Sequence, residues 1–265
     1  MFIFFHNNIG DDMKILITGA SSGIGFLTGC VLADRGHDVY MTTKTCKEEL
    51  VLKNKIKMLE LDVSVFKLDV TNKEDRGKIE LLDLDVLFLH AGIGYVGLLK
   101  DMDINLVRDN FEVNVFSNLE IIQLFLKDNS KPKKIVITSS LFANHACPYF
   151  GSYILSKSCI DLMTKILRNE SILSKNKFML IKPGAYHTGF NQYLLLSGEK
   201  SGVSSNILSV FGKVFLCFEE RKLNSIVEKL VYAIEKGNDF KYSAPFIQRL
   251  ILDNWIDNPP LFIVL

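Results

Sequence analysis

Between positions 139 and 157 the chain reads SSLFANHACPYFGSYILSK, which supplies hydroxyls at Ser139 and Ser140, a phenol at Tyr153 and an ammonium at Lys157. Tyr-x-x-x-Lys occurs three times, at Tyr40/Lys44, Tyr153/Lys157 and Tyr232/Lys236, so the spacing by itself selects nothing. Tyr40 falls in a strand-like run, where residues four apart are separated by ~13 Å. Tyr232 and Lys236 fall in a helical run that no strand-terminal serine precedes. Tyr153 and Lys157 combine an upstream strand-terminal hydroxyl with a helix, which brings Cβ atoms at i and i+4 to about 5–6 Å. A phenol titrates near 10 and is a poor acid–base group at neutral pH. A neighbouring ammonium favours its anion and lowers that value, so this trio suits proton exchange with an oxygen.

A second constellation, ILITGASSGIG (15–25), sets Gly19, Gly23 and Gly25 between an apolar run and a helix-period run. Glycine at such points allows a tight turn, close backbone approach to a phosphate and close helix–strand packing. The helix start adds unpaired N–H groups and the positive end of the helix dipole. Ser21 and Ser22 can add hydroxyl donors, with Ile24 beside them at the first helical turn.

Both constellations must be held by a larger frame. Apolar runs at 14–18, 38–43, 85–92, 133–140 and 176–184 read as buried strands, and helix-period stretches lie between them at 23–36, 103–129 (one helix or two abutting) and 151–170. In the last of these, Ile154, Ile160, Met163, Ile166 and Leu167 mark an apolar face. Gly36 is placed to stop the first helix. The alternation predicts an α/β fold: a Rossmann-type doubly wound parallel sheet in three α/β/α layers, with ligands at the carboxyl ends of the strands. Residues 1–13 read as an N-terminal extension and 14–265 as a single nucleotide-binding domain. The alternation fades at about 190–222, which reads as an irregular mobile insert serving as a substrate lid before a helix near 223–236.

Composition narrows the partners. With 31 basic and 30 acidic residues the formal charge is +1, which gives no electrostatic reason to expect nucleic acid. Five scattered cysteines form no C-x-x-C pair and read as free thiols in a reducing compartment, without a disulfide framework or metal site. No window has the length of uncharged apolar residues that a membrane span needs, so the expected setting is soluble and cytoplasmic.

The glycine spacing, Thr18-Gly19-x-x-x-Gly23-x-Gly25, differs from G-x-G-x-x-G and resembles the short-chain dehydrogenase/reductase superfamily in its compact single-domain branch. The resemblance spans roughly residues 14–190, with further motifs in the same order. It implies an enzyme that interconverts a carbonyl and a secondary alcohol by hydride transfer. Tyr153 would be the acid/base, Lys157 would lower its pKa and hold the nicotinamide ribose, and Ser140, thirteen residues upstream, would bond the substrate oxygen. Asn114, in FEVNVFSN, would hold a water near the lysine. At the end of the second strand, where an acid would bind ribose hydroxyls, stand Thr43 and Lys44, so NADP(H) is expected over NAD(H). Asp69, with Val70 beside it, resembles the adenine contact, and Asp62 is its competitor. Ala91 and Gly92 follow Leu89-His90, where the family usually carries Asn-Asn-Ala-Gly; His90 can partly restore the lost link between strands. Pro183, Gly184 and Thr188 in KPGAYHTGF resemble the segment that packs on the nicotinamide. His145 and Tyr149 are candidates for the substrate pocket. DVYMTTKT, PGAYHTGF and FKYSAP (240–245) look like the subgroup containing hydroxysteroid and retinol dehydrogenases, which implies a small, hydrophobic ketone or alcohol. The family often assembles as homodimers or homotetramers through its two long helices. A catalytically silent NAD(P) sensor on the same fold is the competing expectation.

Overall fold

Strands that are apolar at nearly every position must be covered on both faces. The computed structural model, which describes residues 12–128 and 130–236, shows that cover. Six strands, β1 (Lys14–Ile17), β2 (Asp38–Thr43), β3 (Val63–Lys67), β4 (Val86–Leu89), β5 (Lys134–Thr138) and β6 (Lys177–Ile181), form one parallel sheet in the order β3-β2-β1-β4-β5-β6. The helices are α1 (Gly23–Asp34), α2 (Cys46–Met58), α3 (Lys73–Gly77), α4 (Ile104–Phe111), α5 (Ser117–Leu126), α6 (Gly151–Glu170), α7 (Phe190–Lys200), α8 (Ser205–Phe218) and α9 (Asn224–Lys236).

Successive strand residues point to opposite faces, and the two cores divide accordingly. Ile15, Ile17, Val86 and Phe88 pack with Cys30 and Leu32 of α1 and Ile226 and Leu230 of α9. Leu16, Leu87, Leu89 and Ile135 pack with Ile121 and Phe125 of α5 and Ile160 of α6. The result is the expected doubly wound sheet between helical layers. Its winding reverses between β1 and β4, where Ile17 pairs with Phe88, and a crevice opens there at the strands' carboxyl ends.

Several boundaries differ from the sequence expectation. Residues 190–222 are not irregular: α7 and α8 fill most of the segment, because their apolar residues pack on α6 and need not satisfy the sheet's alternation. The 103–129 stretch is two helices joined without a break by a π-turn at Glu112–Phe116. Met13 belongs to the fold, since its N–H donates to His37 Nδ1 at 3.3 Å and its carbonyl accepts from Asp38. Gly36, at φ 93°, stands one residue past the Arg35 cap and terminates α1 as expected. Residues 1–11 and the FKYSAP segment lie outside the described residues. Among the described residues no helix is long and apolar enough to cross a membrane, and no cluster of metal ligands occurs.

Candidate active site

A cavity of about 510 Å³ runs along the carboxyl ends of the strands, from the end of β2 to the inner faces of α6 and α7. Its middle is the β1–α1 turn. Thr18 is fully buried; its N–H donates to the Phe88 carbonyl, and its hydroxyl oxygen accepts from the N–H groups of His90 and Ala91 at 3.0 and 3.1 Å. The turn and the end of β4 are therefore one unit. Gly19 has φ 66°, and a Cβ there would lie 2.7 Å from Ala91 Cα, so both handedness and space require glycine. Ser21, Ser22, Gly23 and Ile24 line the cavity, as do Ala91 and Gly92. Ser22 begins α1 with extended backbone and makes no side-chain capping bond, which leaves the first-turn N–H groups without a protein cap. Gly25 sits behind the wall, where a Cβ would meet His90 Cδ2 at 2.8 Å.

At the β2 end, Lys44, Asp69 and Val70 line the cavity. Thr43 does not: it is buried, and its hydroxyl donates to the Thr45 carbonyl at 3.2 Å. Asp62 is exposed ahead of β3, whereas Asp69 Oδ1 accepts from the Thr71 N–H and hydroxyl at 3.0 and 2.8 Å. A carboxylate the sequence reading missed, Glu48, also lines this end. Thr45 and Glu48 form a reciprocal capping box at the start of α2, and the spacing T-x-x-E was the signal for it.

At the other end α6 supplies both Tyr153 and Lys157, 9% and 4% exposed. Ser140 Oγ accepts from the Phe142 N–H at 3.1 Å, and the Ser140 hydroxyl lies beside the phenol and favours its anion. Lys157 Nζ donates to the Thr138 carbonyl at 3.0 Å and lies 5.8 Å from the Tyr153 ring centroid. Asn114 sits in the π-turn, fully buried and behind the cavity wall. Its carboxamide accepts from the Ile93 N–H and donates to the Ile93 carbonyl and Ser156 hydroxyl, each at 2.9 Å. A Cβ on Gly92 would lie 3.2 Å from Asn114 Oδ1 and 3.3 Å from Lys157 Nζ. His90 bridges β4 to β5 through Thr138 Oγ1 at 3.1 Å. Burial first, and the Lys157 charge second, push its imidazole down to about 4, so it is neutral at physiological pH.

The electrostatics correct one expectation. Burial pushes the Tyr153 phenol up to about 12, opposed by the Ser140 hydrogen bond. Burial brings the Lys157 ammonium down to about 8, opposed by Asp161. The lysine does not draw the phenol toward neutrality here, because desolvation of the anion outweighs the favourable contacts. A positive charge bound beside the phenol would be needed to reverse that balance.

Pro183, Gly184 and Thr188 line the cavity next to this end. The Pro183 carbonyl accepts from the Leu141 N–H at 2.9 Å, tying the segment after β6 to the serine strand end. Phe142, Phe150, Phe190, Leu194 and Phe215 complete an apolar wall from the α6 start, α7 and α8. Tyr149 packs on Phe211 at 5.5 Å, and His145 Nδ1 lies 3.1 Å from the Ala143 carbonyl; neither lines the cavity. Gly94 was missed: a Cβ there would come within 2.9 Å of the Tyr153 ring and 2.5 Å of Leu194. No sequence pattern marks it, since its neighbours come from α6 and α7. The arrangement can hold a long ligand with phosphates at its centre, and it offers a phenol, a hydroxyl and an ammonium beside an apolar chamber.

The short chain dehydrogenase family matches residues 13–196. The 3-ketodihydrosphingosine reductase of Bacteroides thetaiotaomicron is 30% identical over 247 residues, 89% of each chain. Rat estradiol 17-beta-dehydrogenase 1 is 29% identical over 196 residues, 69% of this chain and 57% of that one. Among solved structures, a short-chain dehydrogenase from Streptomyces avermitilis superposes with a TM-score of 0.75 at 18% identity over 96% of both chains. One from Sphingobium yanoikuyae in complex with NADPH superposes with a TM-score of 0.71 at 17% identity over 91% of both.

Proposed function

From the premise that this chain belongs to the short-chain dehydrogenase family, and is an oxidoreductase of the alcohol–carbonyl pair, we propose an NADPH-dependent reductase of a small, hydrophobic ketone. It would run as the corresponding dehydrogenase in reverse. The observation that carries the reading is the Tyr153 phenol, beside Ser140 and one helical turn from Lys157, with all three lining the apolar end of the cavity.

The residues present fit a dinucleotide. Glycine is enforced at Gly19 by space and φ, and the uncapped start of α1, with Ser21, Ser22, Gly23 and Ile24, suits a pyrophosphate; Gly25 supports it from behind. Asp69 and Val70 would face the adenine, and Lys44 the ribose phosphate; Thr43 would act through its backbone, its hydroxyl being already donated. Ala91, Gly92, Pro183, Gly184 and Thr188 would border the nicotinamide. The bound cofactor supplies hydride transfer at the nicotinamide C4.

The chain's own part is proton handling and orientation. Tyr153 Oη gives its proton to the carbonyl oxygen, or takes one from the alcohol. Ser140 donates to the same oxygen and stabilises charge developing on it. Lys157 holds its charge beside the phenol and can bond a ribose hydroxyl. Asn114 fixes the 93 loop to α6 behind Lys157. The wall of Phe142, Phe190 and Leu194 excludes water and favours an apolar substrate, and α7 and α8 act as its lid. The free thiols at Cys30, Cys46, Cys147 and Cys159 support a reducing, cytoplasmic setting, and a second copy of the chain is the expected partner.

Oxidation of NADPH and NADH with a panel of apolar ketones tests this. NADPH should be preferred, though moderately, because the Glu48 carboxylate lines the same end of the cavity as Lys44. Tyr153→Phe should cut turnover by roughly 10²–10⁴ while NADPH binding, read by fluorescence titration, holds. Unchanged turnover would remove Tyr153 from the acid/base role. Binding with no oxidation on any ketone would instead identify a nucleotide sensor.

A further inference from the structure

One buried charge in the catalytic half has no part in the mechanism above. Asp161 lies one helical turn beyond Lys157 on α6 and is 2% exposed. Carboxylates at that depth are retained when they are paired and hydrogen-bonded, and Asp161 is both. Its Oδ1 accepts from the Ser139 hydroxyl. Its Oδ2 accepts from Asn144 Nδ2 at 3.0 Å and pairs with Lys182 Nζ.

These three partners come from the segments that build the reacting end. Ser139 immediately precedes Ser140 at the end of β5. Asn144, in a left-handed conformation at φ 70°, shapes the loop between Ser140 and α6, and its N–H donates to Ser158 at 3.0 Å. Lys182 immediately precedes Pro183 and Gly184. One carboxylate thus fastens the serine strand end, its following loop and the segment after β6 to the helix bearing Tyr153 and Lys157. Because the pair is shielded from water, its charges act on Lys157 with little screening.

We propose that Asp161 and Lys182 form a positioning pair for the reaction: Asp161 ties the Ser140 strand end to the helix bearing Tyr153 and Lys157 and sets a negative charge one turn from Lys157, which Lys182 partly offsets. The proposal rests on the reading of Lys157 as part of the catalytic set. The titratable groups facing Lys157 are Tyr153 on its own helix, His90 at the end of β4, and Asp161 with Lys182 behind it. His90 is neutral and Tyr153 protonated over the pH range concerned, so the pair is the adjustable charge. Asp161 already acts to raise the lysine against its burial.

Opposite shifts in two variants separate this role from a merely structural one. The probe is the protein with lysines labelled with ¹³C at Cε, free of nucleotide, titrated by NMR, with the Lys157 signal assigned from its loss in Lys157→Met. Asp161→Asn keeps the shape, and the Lys157 midpoint should fall by about one pH unit from its value near 8. Lys182→Met should move it upward, because the carboxylate is then uncompensated. Midpoints that stay within the titration error, or move in the same direction in both variants, would overturn the proposal. If Asp161→Asn does not fold, as judged by circular dichroism, Lys182→Met and Lys182→Gln decide it: an upward shift supports the pair, and no shift or a downward one rejects it. The titration needs no turnover, so its failure is distinct from failure of Tyr153→Phe to lose activity.

Discussion

At the scale of the residue, the site holds an ammonium where burial disfavours one. Lys157 carries its charge at 4% exposure and titrates at about 8 against an ordinary 10.5. Its folded-state value is lowered, so between pH 8 and 10.5 the folded protein binds fewer protons than the unfolded chain. The penalty for burying the charge is therefore complete below pH 8 and is relieved as pH rises toward 10.5. Lys157→Met should stabilise the protein at neutral pH by roughly 1–3 kcal/mol, raising Tm by a few degrees while turnover is lost. Thermal unfolding read beside activity checks this, and a Tm that falls would mean the Thr138 hydrogen bond outweighs desolvation. The pairing of Tyr153 with Lys157 was legible because a helix brings i and i+4 together whatever surrounds it. The direction of the phenol's shift was not, because desolvation depends on Phe190, Leu194 and Gly94, which lie far away in sequence from Tyr153 or belong to other elements.

At the scale of the element, the shortest helix has an outsized anchoring role. α3 has five residues, too few to be stable by itself. Asn72 caps it by accepting from the Asp75 N–H at 2.9 Å, and Asp75 then reaches back to accept from the Asp69 N–H at 2.9 Å. Burial would raise the Asp75 carboxyl, but Lys67 and Lys78, at 2.6 and 2.8 Å, and the Asp69 N–H hold it down at about 2. Its folded value lies below the ordinary 3.8, so its contribution is present above that pH and lost as pH falls through about 2. Asp75→Asn should cost about 2 kcal/mol at pH 7 and much less at pH 2. Urea unfolding at the two pH values measures the difference; an equal cost at both would show that shape, not charge, is what α3 needs. The run Asn72-Lys73-Glu74-Asp75, a capping residue followed by first-turn acids, carries the local signal for this helix start. The lysines that hold it come partly from β3, and no local pattern names them.

At the scale of the whole molecule, α6 has two apolar sides. Ile154 and Ile160 are buried, while Met163 and Leu167 pack against the core from its edge. Leu155, Leu162 and Ile166, spaced so that they share a helix face, are 47%, 60% and 48% exposed, and Phe116 before α5 is 51% exposed. This outer stripe is the surface on which the proposed second copy would sit. Leu162→Glu should shift sedimentation toward the monomer without unfolding the chain. A variant with the wild-type assembly would move the contact elsewhere, and a monomeric wild type would end the proposal.

What the sequence determined by itself was whatever a short run of chain can enforce. The glycine turn before α1, the strands β1, β2, β4, β5 and β6, and the phenol and ammonium one turn apart all follow from local sterics and the two periodicities of the backbone. Only the tertiary structure decided which groups share an environment. It turned residues 190–222 into two helices over the cavity and placed Asp161 among Ser139, Asn144 and Lys182. Burial and charge act through space, and in a doubly wound sheet the residues nearest in space at the strand ends are often the ones most distant along the chain.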